Sequence, residues 1–152
     1  MRRAVMLSIL MLTGCGQDAP PPPPLPSTGV VAPGESYSLA ALVAVHAGGA
    51  TVSWSVEPGG GTITSEGVYT APTCAQMIAS LPAGTDLATA GQITGTEHVT
   101  ATWAGGSLPI TVTVTEEVLG VSIEPATVEV EVGETVQFHA RIAYTCHEQV
   151  TP

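Results

Sequence analysis

The chain has 152 residues, with 13 Asp or Glu against three Arg and no Lys, so its formal net charge is −10. Binding to nucleic acid or to an anionic membrane depends on Lys and Arg that neutralise phosphates, and this composition excludes both as main functions. Aromatic residues make up only 4%, while Thr, Val, Ala and Gly are abundant, so we expect an all-β protein of short strands and tight turns.

The first 14 residues have the pattern of a secretory signal peptide. Two arginines precede an apolar run over residues 4–12, which is too short to span a bilayer. The sequence LTGC at 12–15 resembles the lipobox of bacterial lipoproteins. The resemblance implies that residues 1–14 are removed and that Cys15 carries diacylglycerol and an amide-linked acyl chain such as palmitate. The alternative is an ordinary secretory signal with a coincidental cysteine.

A proline-rich linker follows the lipidation site and completes the segment 15–28. Pro20 to Pro24 favour polyproline II, so the stretch from Gly16 to Thr28 is predicted to act as a stiff spacer of about 40 Å. Gly16, rather than Asp, follows Cys15, which resembles lipoproteins passed on to the outer membrane. We therefore expect an exported protein anchored in the bacterial cell envelope, at the outer membrane, with the lipid as its membrane contact.

Residues 29–115 show the period-two alternation of half-buried antiparallel strands. Glycine-rich turns separate these strands, at residues 48–49, 58–61, 66–67 and 105–106. Short strands at this spacing predict a β-sandwich. The apolar members of four strands are Tyr37, Leu39, Ala41, Val43 and Val45; Val52, Trp54 and Val56; Val99, Ala101 and Trp103; and Ile110, Val112 and Val114.

Four elements of this region resemble bacterial Ig-like domains of the group 2 type. They are VSWSVEP at 52–58, GGGTI at 59–63, GVYTAP at 67–72 and VTA at 99–101. The resemblance implies an Ig-like antiparallel β-sandwich, with Trp54 in its core and Tyr69 tied to the backbone through its hydroxyl. Trp103 shares a face with the apolar residues of its strand, so we expect it in the core, with a binding role as the alternative.

The stretch 73–97 is longer than the family usually has there. A short helix or an extra strand is expected near residues 75–81, and a ligand site of this protein is expected in this loop.

A partial second Ig-like domain is predicted over 118–152. The sequence Gly-Glu-Ser at 34–36 recurs as Gly-Glu-Thr at 133–135 with the same apolar spacing after it, a shift of 99 residues. Glu129, Glu131 and Glu134 alternate with valines and predict a solvated strand face. The other side would be an apolar surface with no opposing sheet, formed by Val128, Val130, Val132, Val136, Phe138, Ile142 and Tyr144. The chain is then a piece of a tandem array, or these strands pack on the first domain or on another chain.

Cys74 and Cys146 are the two thiols left after lipidation of Cys15, and disulfides persist in exported proteins. They form a candidate disulfide, although pairing with other cysteines stays open. No metal site is predicted, because the four histidines lack ligand spacing; calcium bound by Glu116, Glu117 or Glu134 is a weaker alternative. No catalytic or cofactor motif is recognisable, so we expect a protein that is not an enzyme.

The sequence thus favours a lipid-anchored envelope protein whose Ig-like modules are non-catalytic spacer or adhesion elements. One alternative is a lipoprotein that binds a surface glycan or protein through the 73–97 loop. The other is the N-terminal stalk of a larger surface protein.

Overall fold

A computed structural model describes residues 20–26, 28–57 and 59–151. The predicted signal peptide, Cys15 and the start of the linker lie outside these residues. The elements in chain order are β1 (Val30–Val31), β2 (Ser36–Ser38), α1 (Ala40–Ala47), β3 (Val52–Val56), β4 (Thr62–Ile63), β5 (Val68–Thr70), α2 (Cys74–Ala79), β6 (Thr94–Trp103), β7 (Gly106–Thr115), β8 (Val118–Glu124), β9 (His139–Tyr144) and β10 (Glu148–Thr151).

The first seven strands form two sheets around one apolar core. One sheet has the order β1-β7-β6-β3 and the other has the order β2-β5-β4; β1 pairs in parallel with β7, and the other pairs are antiparallel. This division of strands is that of an Ig-like β-sandwich, so the predicted fold class is confirmed. The core residues contributed by the strands are Val31, Tyr37, Tyr69, Val99, Ala101, Ile110, Val112 and Val114.

The central strands follow the predicted alternation closely. Trp54 of β3 lies opposite Ala101 of β6, while Thr100 and Thr102 lie opposite the outward serines of β3. Val112 and Val114 of β7 are completely buried, and the threonines between and beside them face outward. Period-two patterning therefore predicts the inward face of this sheet correctly.

The strand predicted over Tyr37 to Val45 is wrong beyond β2, because α1 occupies residues 40–47. Leu39 and Val43 are fully buried, whereas Val45 is 81% exposed. Positions 39 and 43 lie on one face in either conformation, so the apolar run alone does not distinguish them. Four of the eight helix residues are alanines, the strongest helix formers, and Gly48 ends the helix in a left-handed conformation.

The linker contacts the sandwich well before Thr28, from Pro23 onward. Ser38 donates a backbone hydrogen bond to the carbonyl of Pro23 (2.7 Å), and Leu25 donates one to the carbonyl of Ser38 (3.3 Å). Leu25 also packs against the core. Because the chain joins the sandwich at Pro23, the predicted 40 Å spacer is shortened by about six residues.

Strands β8 to β10 form a separate antiparallel sheet of order β10-β9-β8. Arg141 of β9 bridges the two outer strands, with Nε 2.9 Å from a carboxylate oxygen of Glu124 and Nη1 2.9 Å from one of Glu148. These carboxylates raise the pKa of the guanidinium. All three side chains are exposed, so the bridges orient the strands more than they stabilise them.

The strand predicted around Glu129, Glu131 and Glu134 does not form. Residues 125–138 contain no strand, and Val128, Val130 and Val132 are exposed outside any sheet. The predicted continuous apolar surface from Val128 to Tyr144 is therefore wrong, although Ile142 and Tyr144 lie in β9. Alternation produces a strand only where a neighbouring strand takes up the backbone hydrogen bonds, and none lies beside this segment within the described ranges.

Candidate functional site

We name the sandwich of β1 to β7 (residues 30–115) the first module or first repeat, and the part with β8 to β10 (residues 118–151) the second repeat. A disulfide between Cys74 and Cys146, whose Cα atoms lie 5.1 Å apart, joins the two. The local sequence explains the position of Cys74 at the start of α2. Thr73 caps this helix, since its hydroxyl accepts from the backbone N of Gln76 (3.4 Å) and the Gln76 side chain accepts from the backbone N of Thr73 (2.8 Å). The capping box fixes the first turn and directs the Cys74 sulfur toward the second repeat.

A buried polar pair lies beside the disulfide. The side chains of Glu116 and His147 are almost completely buried, and His147 Nδ1 is 3.0 Å from Glu116 Oε1. Glu116 Oε2 accepts from the backbone N of Ile93 (2.8 Å), and His147 Nε2 lies 3.2 Å from the carbonyl of Ala90. The ring of Tyr144 stacks on His147 at a centroid distance of 4.9 Å.

Both ring nitrogens of His147 therefore face oxygen atoms. A carbonyl can only accept, so His147 Nε2 is the donor to Ala90, and Nδ1 lies at hydrogen-bond distance from the Glu116 carboxyl. Both buried groups are therefore paired. Loss of either partner would leave a buried polar group without compensation, which makes this pair sensitive to any separation of the repeats.

Backbone hydrogen bonds also connect the second repeat to the first. Thr145 donates to the carbonyl of Glu117 (3.0 Å), and the Thr145 hydroxyl accepts from the backbone N of Glu117 (3.1 Å). Val150 of β10 donates to the carbonyl of Ala88 in the long loop (2.7 Å). Covalent, buried polar and backbone contacts thus fix the second repeat to the first, and we name this set of contacts the joint.

The joint was only partly visible in the sequence. The sequence predicts Cys74 and Cys146 as a candidate pair, offers Glu116 as a weaker calcium ligand and indicates no metal role for His147. Glu116 instead bonds His147, while a Glu134 carboxylate oxygen accepts from the backbone of Glu131. In the described part of the chain, no three His, Cys, Asp or Glu side chains lie close enough to hold a metal ion.

Trp54 is half-buried rather than enclosed. Its indole lies against Gly67, where an added Cβ would be 2.6 Å from Cζ2. The exposed part borders a groove of about 320 Å³ between α1 and the β4–β5 turn, which also includes Ser65 and Glu66. Trp103 is also half-buried and packs over Gly106. Both tryptophans belong to the periphery of the core.

Tyr69 is fully buried, but its hydroxyl has no hydrogen-bond partner among the described residues. The expected bond to the backbone is therefore wrong, because the hydroxyl points toward Gly61 and the Glu97 side chain instead. Glu97 is only 4% exposed, and its Oε2 is also unpartnered. Burial raises the pKa of the Glu97 carboxyl, and hydrogen bonding from the Gly61 backbone opposes this only in part.

The same surroundings raise the pKa of the Tyr69 phenol, through burial first and the Glu97 charge second. The sequence carried a signal for Glu97, because it is in phase with the inward residues Val99 and Ala101 of β6.

The fold defines an Ig-like module, and comparisons with known proteins add little to it. No protein-family model matches the chain, and no curated protein matches it. Among solved structures, it is similar to a bacterial Ig-like domain containing GH10 xylanase from termite gut, with 23% identity and a TM-score of 0.47. The match covers 60% of this chain and 19% of the xylanase chain.

Proposed function

We propose that the chain is an exported lipoprotein, anchored through Cys15 at the outer membrane, whose Ig-like modules act as a non-catalytic spacer and adhesion element. The joint is the observation that carries this proposal. A spacer keeps its far end at a defined place only if its modules do not hinge freely. Short linkers between modules normally allow relative motion, and here a disulfide and the buried contact between Glu116 and His147 oppose it.

The disulfide also determines which part of the chain bears a pulling force. Cys74 and Cys146 are 72 residues apart in sequence. A force between the lipid at Cys15 and any residue after Cys146 passes through the sulfur bridge, so the intervening strands are not extended. About 250 Å of chain is thereby held back, at roughly 3.5 Å per residue. This limit on extension suits a stalk that bears load.

The loop alternative is weaker for a structural reason. Three residues of the loop proposed to bind a glycan or protein contact the second repeat or Glu116 in the connection that precedes it; they are Ala88, Ala90 and Ile93. Much of that loop is thus engaged in the joint. The joint is equally compatible with the N-terminal stalk of a larger surface protein, so this alternative is part of the same proposal.

The anchor is tested by intact mass and membrane fractionation of the protein in a lipoprotein-processing bacterial host. We expect the wild type in the membrane fraction, starting at Cys15 and carrying the mass of a diacylglyceryl and an acyl group. Cys15→Ser should be unlipidated and released. The double variant Cys74→Ser/Cys146→Ser is the matched control and should remain lipidated. A Cys15→Ser protein that stays membrane-bound with unchanged processing would overturn the anchor.

The stiffness of the joint is tested by hydrogen exchange. The amides of Thr145 and Val150 donate across the joint and should exchange as slowly as amides of β6 in the oxidised protein. In Cys74→Ser/Cys146→Ser they should exchange at least tenfold faster, while β6 is less affected. Fast exchange of both amides in the oxidised protein would refute the rigid spacer and leave the anchor untouched.

A further inference from the structure

The helix α1 is apolar on every side although it lies at the surface. Its sequence is AALVAVHA, with His46 as the single polar residue and no charged one. A helix of this composition is normally buried on all faces. Only Val43 and Ala47 are buried, while Leu42 is 47% and Val45 81% exposed. The outward face therefore lacks a partner within the described residues.

This face is continuous with the segment through which the chain enters the sandwich. A groove of about 400 Å³ is lined by Pro24 and Pro26 on one side and by Ala41 and Leu42 on the other. None of the described residues that line it is charged. The α1 patch consists of Pro24, Pro26, Ala41, Leu42, Ala44 and Val45.

The position of the α1 patch limits what can cover it. Ser38 bonds Pro23 and is followed after one residue by α1, so the chain enters the sandwich beside this helix. Seven residues separate Cys15 from Pro23. At about 3.1 Å per residue in polyproline II, the tether from the lipid is about 25 Å long. A lipidated Cys15 would therefore hold the α1 patch within reach of the bilayer surface.

We propose that the α1 patch docks on the lipid surface to which Cys15 is anchored, which rests on the proposed lipid anchor. Leu42 and Val45 would enter the headgroup boundary, as apolar residues of interfacial helices do. The lipid itself would be zwitterionic, because thirteen acidic residues oppose contact with anionic headgroups and the α1 patch has no charge. Docking would fix the orientation of the sandwich relative to the membrane, as well as the distance between them.

The test uses the lipidated full chain on vesicles of phosphatidylcholine with brominated acyl chains, which quench nearby tryptophan. Val45→Trp places a reporter in the α1 patch, and Val132→Trp is the matched control, since Val132 is a fully exposed valine in the second repeat. After subtraction of the wild-type signal, we expect quenching at position 45 to be at least threefold stronger than at 132. Both variants replace exposed residues, so both should fold.

Other outcomes separate the docking from the anchor. Equal, weak quenching at both positions in protein that floats with the vesicles would overturn the docking and keep the anchor. Protein that does not float would overturn both. Shielding of position 45 from aqueous acrylamide only after envelope proteins are added would assign the α1 patch to a protein partner and also overturn the docking. Leu42→Ser/Val45→Ser should float normally but lose the slowed hydrogen exchange of α1 on vesicles.

Discussion

Removal of the disulfide tests how strongly the joint supports the first module. The perturbation is Cys74→Ser/Cys146→Ser, made in a Cys15→Ser background so that the protein lacks lipid and other thiols. The bridge closes a loop of 72 residues that contains β6 to β9. Chain-entropy estimates for a loop of this length give a stabilisation of about 4 kcal/mol, by restriction of the unfolded state.

That value applies to the first module only if the two repeats unfold together. The sheet of β8 to β10 has no opposing sheet among the described residues, so it depends on the joint for its order. Trp54 and Trp103 both lie in the first module and report its unfolding specifically. We therefore expect the urea midpoint, followed by tryptophan fluorescence, to fall by the equivalent of about 4 kcal/mol when the bridge is removed.

The control is the disulfide-containing protein treated with reductant, which should unfold at the same urea concentration as the double serine variant. A shift below about 1 kcal/mol in tryptophan fluorescence, alongside early loss of β8 to β10, would refute the reasoning. The second repeat would then be a separately unfolding appendage, and the rigid spacer would lose its main support.

Two further substitutions test the first module. Gly67→Ala should lower the free energy of unfolding by about 3 kcal/mol, because φ is +79° and the new Cβ would meet the Trp54 ring. The control Gly84→Ala has φ +87° but open space around it, and should lower the free energy of unfolding by only about 1 kcal/mol. Equal effects in urea denaturation would show that the Trp54 contact is unimportant. Glu97→Gln should stabilise the protein at pH 8 more than at pH 4. Below about pH 4 the Glu97 carboxyl is neutral in both the folded and the unfolded state. As pH rises through the raised pKa of the folded state, burial of the charged carboxyl destabilises the wild type. An effect of equal size at both pH values would contradict this origin.

The central sheet could be predicted because its signals are local and its pairing is regular. In β3, in residues 99–103 of β6 and in residues 110–115 of β7, apolar residues alternate with serine or threonine, and tight turns or glycines separate the strands. The inward residues of these strands then pack against the opposite sheet, and this packing does not depend on contacts elsewhere in the chain. The same patterning places Glu97 inward, where a carboxylate is unexpected; the charged side chain hides the phase of the strand from a reading by hydropathy.

The internal repeat shows where patterning becomes ambiguous. Residues 39–44 and 138–143 share the same apolar spacing, yet the first forms most of α1 and the second most of β9. The first copy has alanines at 40, 41 and 44, which favour helix. The second has Phe138 and Ile142, and aromatic and β-branched residues favour strands. Spacing locates the repeat, and side-chain shape determines its conformation.

The joint could be predicted only in part because its polar contacts join distant residues. Glu116 and His147 are 31 positions apart, and His147 and Ala90 are 57 apart. Neither spacing belongs to a known motif. The available signal was indirect: His147 follows Cys146, so a bridge to Cys74 brings the imidazole to the first module. Once the disulfide is predicted, His147 is expected to lie against the first module, where a buried imidazole needs a hydrogen-bond partner.

The glycine run at 59–61 is explained by the buried carboxylate as much as by chain reversal. Only Gly60 has a positive φ, +105°, that requires glycine. A Cβ at Gly61 would lie 2.9 Å from the Tyr69 ring, and a Cβ at Gly59 would overlap the Glu97 carboxyl. The two flanking glycines therefore leave room for Glu97 and Tyr69 beneath the turn. The Tyr69 hydroxyl and one oxygen of the Glu97 carboxyl lack partners among the described residues, so burial at this turn is unfavourable, whereas both ring nitrogens of His147 and both carboxyl oxygens of Glu116 have partners in the joint.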